Sequence, residues 1–199
     1  MNLRGRRLLT VGAAAVLLSA SLYGSASADP PSQEVGSVTG SVPIAVAGPG
    51  EVCVDVISKE TDAKSVSLVL GSACSRSLSD ARAQAAGMAN ATVSARSSSQ
   101  ASGTVTTLTS TLLIQLFIDY GQNPLQREIY GGYGPCDTAG YTYAAYSADV
   151  GRISSSAGYN NCNAIRLKDT GGSHGYFFQS VNFPGSFNDG TVEYHPYHV

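Results

Sequence analysis

Thr111-Leu112-Leu113-Ile114-Gln115-Leu116-Phe117-Ile118-Asp119-Tyr120-Gly121 is the stretch on which the reading of the fold turns. From Leu112 to Tyr120 it is apolar and strand-prone, and far shorter than the roughly 20 residues a membrane-spanning helix needs. Beyond it, Gly121, Pro124, Gly131, Gly132, Gly134 and Pro135 punctuate short runs that carry Tyr or Phe. This rhythm predicts strands near 111–119, 125–130, 140–146, 152–158, 163–168, 175–181, 184–187 and 191–197. Short strands broken by Gly, Pro, Asn and Asp indicate a mainly β sandwich or barrel, here with a weak four-plus-four duplication. The aromatic residues follow the same division. Apart from Tyr23, every Phe and Tyr lies between Phe117 and Tyr197, and Gly24 to Leu116 has none.

Upstream the chain changes character. Arg4, Arg6 and Arg7, the apolar run Leu8 to Leu22 and the small residues Ala26-Ser27-Ala28 have the three-part layout of a cleaved export signal over 1–28. The Pro-, Gly- and Ser-rich segment 29–50 reads as a flexible leader. Within 51–103, Val52–Ile57 and Ser65–Leu70 alternate like strands. Ser77 or Ser79 caps a predicted helix through Asp80 to Ala86, which Gly87 and the polar run after Asn90 should end. Ser97 to Gly103 reads as a linker. Without an aromatic side chain, 51–103 is expected to be a small, partly helical or partly disordered unit ahead of a separate β domain at 104–199.

Charge and cysteine usage narrow the function. Removing the three signal-peptide Arg from 12 basic residues takes the net charge from −2 to −5, and the remaining Lys and Arg are scattered. A nucleic-acid surface needs a basic cluster, and none survives. The four cysteines are an even set in a chain marked for export, so disulfides are expected. Of the three connectivities, Cys53–Cys74 and Cys136–Cys162 keep each bridge within one compositional half. In the chain-entropy picture, loops of this length are worth about 3 kcal/mol each. No Cys-x-x-Cys pair occurs, so zinc-ribbon and thioredoxin-type chemistry lack their signature.

The duplication carries a resemblance. Ile118-Asp119-Tyr120-Gly121 resembles the aromatic-x-Gly hairpin of βγ-crystallin Greek keys, and Leu167 to Tyr176 resembles a second copy with Ser173 in the aromatic position. Val150-Gly151-Arg152-Ile153-Ser154-Ser155 and Asn188-Asp189-Gly190-Thr191-Val192-Glu193 are similar to the paired signature that follows those hairpins. Together with Tyr159-Asn160-Asn161-Cys162, they resemble a group of secreted actinobacterial proteins akin to small metalloproteinase inhibitors and killer-toxin-like proteins. The resemblance spans about 111–197 and implies a two-Greek-key sandwich. It also implies calcium ligands, but each signature here is incomplete. The first keeps its Ser pair, and the second keeps Asn188-Asp189. What remains is one weak calcium candidate, Ser154 with Asp189. A rigid loop presented to a secreted protease or a cell-surface component follows as the binding mode. Gly131–Asp137, with Tyr133, Pro135 and Asp137, is preferred over Thr170–Gly175.

Other constellations carry residue types suited to chemistry. Gly171-Gly172-Ser173-His174-Gly175, followed by Asp189 and His195, matches the order of an α/β-hydrolase triad. A nucleophile elbow needs a helix after the Ser, whereas Tyr176 to Val181 reads as a strand, so no catalytic residue is assigned. His195-Pro196-Tyr197-His198, with His174, is a metal-ligand set by composition, but residues i and i+3 of a strand face opposite ways. Tyr130, Tyr133, Tyr141, Tyr143, Tyr146 and Tyr159 are either a sugar- or peptide-binding platform or core, and strand spacing favours core. The expectation is a secreted, non-enzymatic binding protein with no membrane or nucleic-acid partner and no cofactor beyond weak calcium. An extracellular structural or weakly calcium-binding protein, and a small serine hydrolase using Ser173, are the alternatives.

Overall fold

Ten strands and one long helix form where the sequence alternates or turns alanine-rich, in a computed structural model that describes residues 41–59, 65–99, 108–145 and 151–199. The export signal, most of the leader and the residues joining helix to strand at 100–107 lie outside the described residues. The strands are β1 (Val52–Ile57), β2 (Val69–Ser75), β3 (Thr111–Phe117), β4 (Leu125–Gly131), β5 (Tyr143–Ala144) and β6 (Ser155–Gly158). They continue with β7 (Ala164–Asp169), β8 (His174–Phe178), β9 (Val181–Asn182) and β10 (Thr191–Tyr197), and the helix α1 is Leu78–Ser99. A six-stranded sheet has the order β2-β1-β4-β3-β6-β9, and a four-stranded sheet the order β5-β10-β7-β8. The chain is mainly β, with two sheets as in a sandwich.

The apolar core lies between the sheets. Leu113, Ile114, Leu116 and Ile129 of the larger sheet and Ile165, Leu167 and Tyr194 of the smaller are at most 3% exposed, with Tyr141, Tyr143, Ile153 and Phe183 among them. The Tyr194 ring sits 6.3 Å from Tyr143 and 6.1 Å from Phe183, both tilted. A second cluster covers the other face of the large sheet. There Ala81, Ala85 and Ala89, spaced one helical turn apart, press on Val54, Val56, Leu70 and Ala73.

Two sequence expectations are corrected by this arrangement. The 103/104 boundary does not separate two units, because β1 pairs in parallel with β4, Cys53 opposite Arg127 through Ile57 opposite Gly131. The aromatic-free half needs no core of its own, since α1 covers one face of its strands and the small sheet's tyrosines cover the other. The helix also runs through Gly87 to Ser99 instead of stopping. A Cβ at Gly87 would meet nothing within 4 Å, so this glycine faces open space while the alanine seam continues beyond it.

Smaller shifts have local causes. The second strand lies at 69–75, later than 65–70, where Gly71 allows α1 to approach: a Cβ there would fall 2.1 Å from the Ala85 carbonyl oxygen. Residues 184–187 hold a 3₁₀ turn, Gly185–Phe187, in place of a strand. Both disulfides are those expected, Cys53–Cys74 across β1 and β2 and Cys136–Cys162 between the β4–β5 connection and the turn before β7.

Two carboxylates enclosed by this packing are paired. Between the sheets, the Asp55 carboxylate accepts hydrogen bonds from Arg127 Nη1 at 2.6 Å, from the Tyr143 hydroxyl at 2.7 Å and from the Ser72 hydroxyl. Under α1, Glu128 accepts two from Arg82 at 2.8 Å each, one from Gln115 at 2.7 Å and one from the Tyr130 hydroxyl at 3.1 Å. Burial alone would push the Glu128 carboxyl up, but these donors outweigh it and hold it below its ordinary value.

Candidate functional site

The outer face of the four-stranded sheet concentrates side chains that the fold leaves exposed. Alternation along β7 sends Ile165 and Leu167 inward and Ala164, Arg166 and Lys168 outward. Register then aligns the neighbours into rows: Phe178, Ala164 and Tyr197; Tyr176, Arg166 and His195; His174, Lys168 and Glu193. Phe178 is 77% exposed and Tyr176 67%. Such contiguous exposed aromatic surface marks binding sites more often than it occurs by chance.

Two hollows open between these rings. One, of about 180 Å³, is lined by Ala164, Tyr176, Phe178, Tyr197 and Val199. The other, of about 250 Å³, lies over Arg166 between Tyr176, His195 and Tyr197, with Thr138 and Ala139 as its far wall. Ala164 makes the first hollow deep because it has only a methyl group between two large rings. Arg166 Nη2 stands 3.7 Å from Glu193 Oε1, longer than a hydrogen bond, and both side chains are partly exposed. Donor and acceptor capacity therefore sits beside the stacking surfaces.

His195 is the buried member of the set. Burial first, and the Arg166 charge second, push its pKa down to about 4, so the ring is neutral at neutral pH. Its Nδ1 is paired with the Thr142 hydroxyl at 2.7 Å. It serves the hollow as a flat, uncharged wall.

The preferred binding loop is well held. Tyr133 is exposed, the Tyr141 hydroxyl donates to the Gly134 carbonyl at 2.8 Å, and Pro135 precedes the bridged Cys136. Asp137 pairs with Lys59, which more than any other contact holds its carboxyl below the usual range, and it caps the N–H groups of Ala139 and Gly140 at 3.0 Å. Asp137 thus shapes the loop that sets Thr138 and Ala139 against the Arg166 hollow. The Thr170–Gly175 loop is a β7–β8 hairpin clamped by Asp169, whose carboxylate accepts from the Ser173 N–H at 2.7 Å and the Ser186 hydroxyl at 2.6 Å.

Ser154 and Asp189 do meet: the Ser154 hydroxyl donates to Asp189 Oδ1 at 3.0 Å. Ser173, Asp189 and His195 do not assemble. β7 runs between the strands of Ser173 and His195, while Asp189 is engaged by Ser154 and His195 by Thr142. His198 points its Nδ1 at the Asn161 carbonyl, apart from the Thr142 contact of His195. Among the described residues, no group of three His, Cys, Asp or Glu side chains converges.

The six tyrosines weighed as platform or core fall into different settings. Tyr141 and Tyr143 are core, Tyr130 is half-buried beneath α1, Tyr133 and Tyr159 are exposed but belong to different loops, and Tyr146 lies outside the described residues. The rings that share one outer sheet face are those of Tyr176, Phe178 and Tyr197. The available signal was the period-2 pattern His174-Gly175-Tyr176-Phe177-Phe178, whose even positions face out. No protein-family model, curated protein or solved structure matches this chain.

Proposed function

We propose that this is a secreted, non-enzymatic binding protein that meets a cell-surface component through the outer face of its four-stranded sheet. The observation that carries the reading is the pair of hollows between Tyr176, Phe178 and Tyr197, floored by Ala164 and Arg166. Aromatic faces bind flat apolar surfaces, and the loosely paired Arg166 and Glu193 offer donors and acceptors to hydroxyl groups beside them. A cell-surface glycan presents both features. Rigid strands present these groups, so little ordering entropy is lost on binding. Two disulfides fit an oxidising compartment, and no helix among the described residues is long and apolar enough to cross a membrane.

The experiment is co-sedimentation with insoluble cell-wall polysaccharides (chitin, cellulose and β-1,3-glucan), beside titration of secreted metallo- and serine proteases. Retention on a polysaccharide that Tyr197→Ala and Arg166→Ala abolish is the expected result. Stoichiometric protease inhibition that Tyr133→Ala abolishes would move the working surface to the 131–137 loop. The absence of both results would end the binding reading and leave the hydrolase alternative, judged by whether Ser173→Ala alters any esterase activity.

A crystallin-like, weakly calcium-binding protein is the second reading. It is supported by the two hairpin stretches falling at the β3–β4 and β7–β8 turns, and by Ser154 of one signature touching Asp189 of the other. A ligand bound only by the native state raises the melting temperature. Millimolar calcium should do so, with Asp189→Ala abolishing the rise; an unchanged melt refutes it.

A further inference from the structure

β8 is the last strand of its sheet, and its free side is unusually well prepared for another strand. The hairpin fixes the phase of its backbone. Asp169 N–H bonds to the Ser173 carbonyl and Gln179 N–H to the Asn163 carbonyl, each at 3.0 Å. Counting inward by twos, the residues bonded to β7 are Gly175 and Phe177. His174, Tyr176 and Phe178 therefore turn their N–H and C=O groups away from β7, and no backbone bond from another described segment reaches them. The same three residues carry the exposed side chains.

Edge strands are ordinarily guarded by a charged residue, a proline or a covering segment. This one has no charge of its own: residues 170 to 188 contain no Asp, Glu, Lys or Arg, and the flanking Asp169 is spent inside the hairpin. A two-fold axis beside Tyr176 would bring a second β8 alongside, antiparallel, with Tyr176 opposite Tyr176 and His174 opposite Phe178. All three pairs would exchange both backbone bonds, and their side chains would pair across the strands on the outer face.

We infer that β8 pairs with β8 of a second copy of this chain, joining two four-stranded sheets into one continuous sheet. A second β8 presents the same outward backbone phase over the same length, and neither strand sets a charge against the other. A sugar chain has no backbone groups to complete the edge. The symmetry is that of an isologous dimer, the commonest kind. The consequence is a doubled aromatic platform, since the rows through Tyr176 and Phe178 of both copies become neighbours on one surface. This goes beyond the binding proposal and is measured with no target present, so either can fail alone.

The test is sedimentation velocity of the purified protein from about 1 µM to about 1 mM, a span of about 4 kcal/mol in dimer stability. A concentration-dependent monomer–dimer equilibrium is expected. Tyr176→Pro, which removes the central outward N–H, and Tyr176→Lys, which sets like charges opposite, should each weaken it about tenfold or more. Far-UV circular dichroism should stay unchanged, because residue 176 is exposed. Register is checked by oxidation. Tyr176→Cys should form an intermolecular disulfide, because directly paired residues lie about 5.5 Å apart at Cα. His174→Cys and Phe178→Cys should cross-link to each other in a mixture, and neither to itself. A monomer throughout the range, or equal self-cross-linking at all three positions, overturns the inference.

Discussion

His195 illustrates how one buried ring ties packing to pH. Burial and the Arg166 charge lower its folded pKa to about 4 from the ordinary 6.5. Between those values the unfolded chain holds the proton and the folded chain does not. Stability is therefore complete above pH 6.5 and falls as the pH drops towards 4, by about 1.4 kcal/mol per unit and about 3 kcal/mol in all. Melting temperatures measured across that window should fall for the parent protein and stay nearly level for His195→Gln. The depressed carboxyls of Glu128, Asp137 and Asp169 act lower, below their ordinary values near 4, so they do not obscure the His195 window. The Asp55–Arg127 pair makes a different point. Both side chains are almost wholly buried, and truncating Asp55 removes the carboxylate to which Arg127 and Tyr143 both donate. Asp55→Ala should cost about 3–5 kcal/mol in urea unfolding. Retention of parent stability would show the pair to be dispensable.

The helix α1 is held by small residues rather than large ones. Its seam of Ala81, Ala85 and Ala89 buries little area per residue, so its hold depends on closeness, and closeness depends on Gly71. A Cβ at Gly71 would lie 2.1 Å from the Ala85 carbonyl oxygen and 2.7 Å from the Ala89 nitrogen, contacts that backbone cannot relieve without moving the helix. Gly71→Ala should therefore destabilise by about 1–3 kcal/mol despite adding a single methyl group. It should also loosen the Arg82–Glu128 pair beneath α1, visible as faster amide hydrogen exchange across Ala81 to Ala89. Gly87→Ala is the control: its Cβ enters open space, and it should stabilise the helix by up to about 1 kcal/mol.

Across the molecule, the large sheet is woven from distant parts of the chain. β1 lies between β2 and β4, and β4 brings Arg127 to Asp55 from 72 residues away. A fragment beginning at residue 108 would lose β1, β2 and α1, exposing one edge of β4 and the apolar face around Tyr130. It should show no cooperative thermal transition, whereas the chain from residue 41 should. Cooperative unfolding of the shorter fragment would restore a domain boundary near 104.

Much of this was legible in the sequence. Most strands after Thr111 could be placed because strand alternation and Gly/Pro punctuation are local properties of the chain. The cysteine pairing follows from position, and the signature stretches already mark Ser154 and Asp189, which touch in the fold. The working face was not legible, since exposure of Tyr176 and burial of Tyr143 follow from which strands become neighbours, and both residues look alike in sequence. The same holds for the aromatic-free half: its poverty in large side chains implied a weak separate unit, yet parallel pairing of β1 with β4 gives it the other half's core. Local periodicity specified the elements and the two bridges. Long-range register specified which side of each strand meets water, and hence where this protein offers a surface for binding.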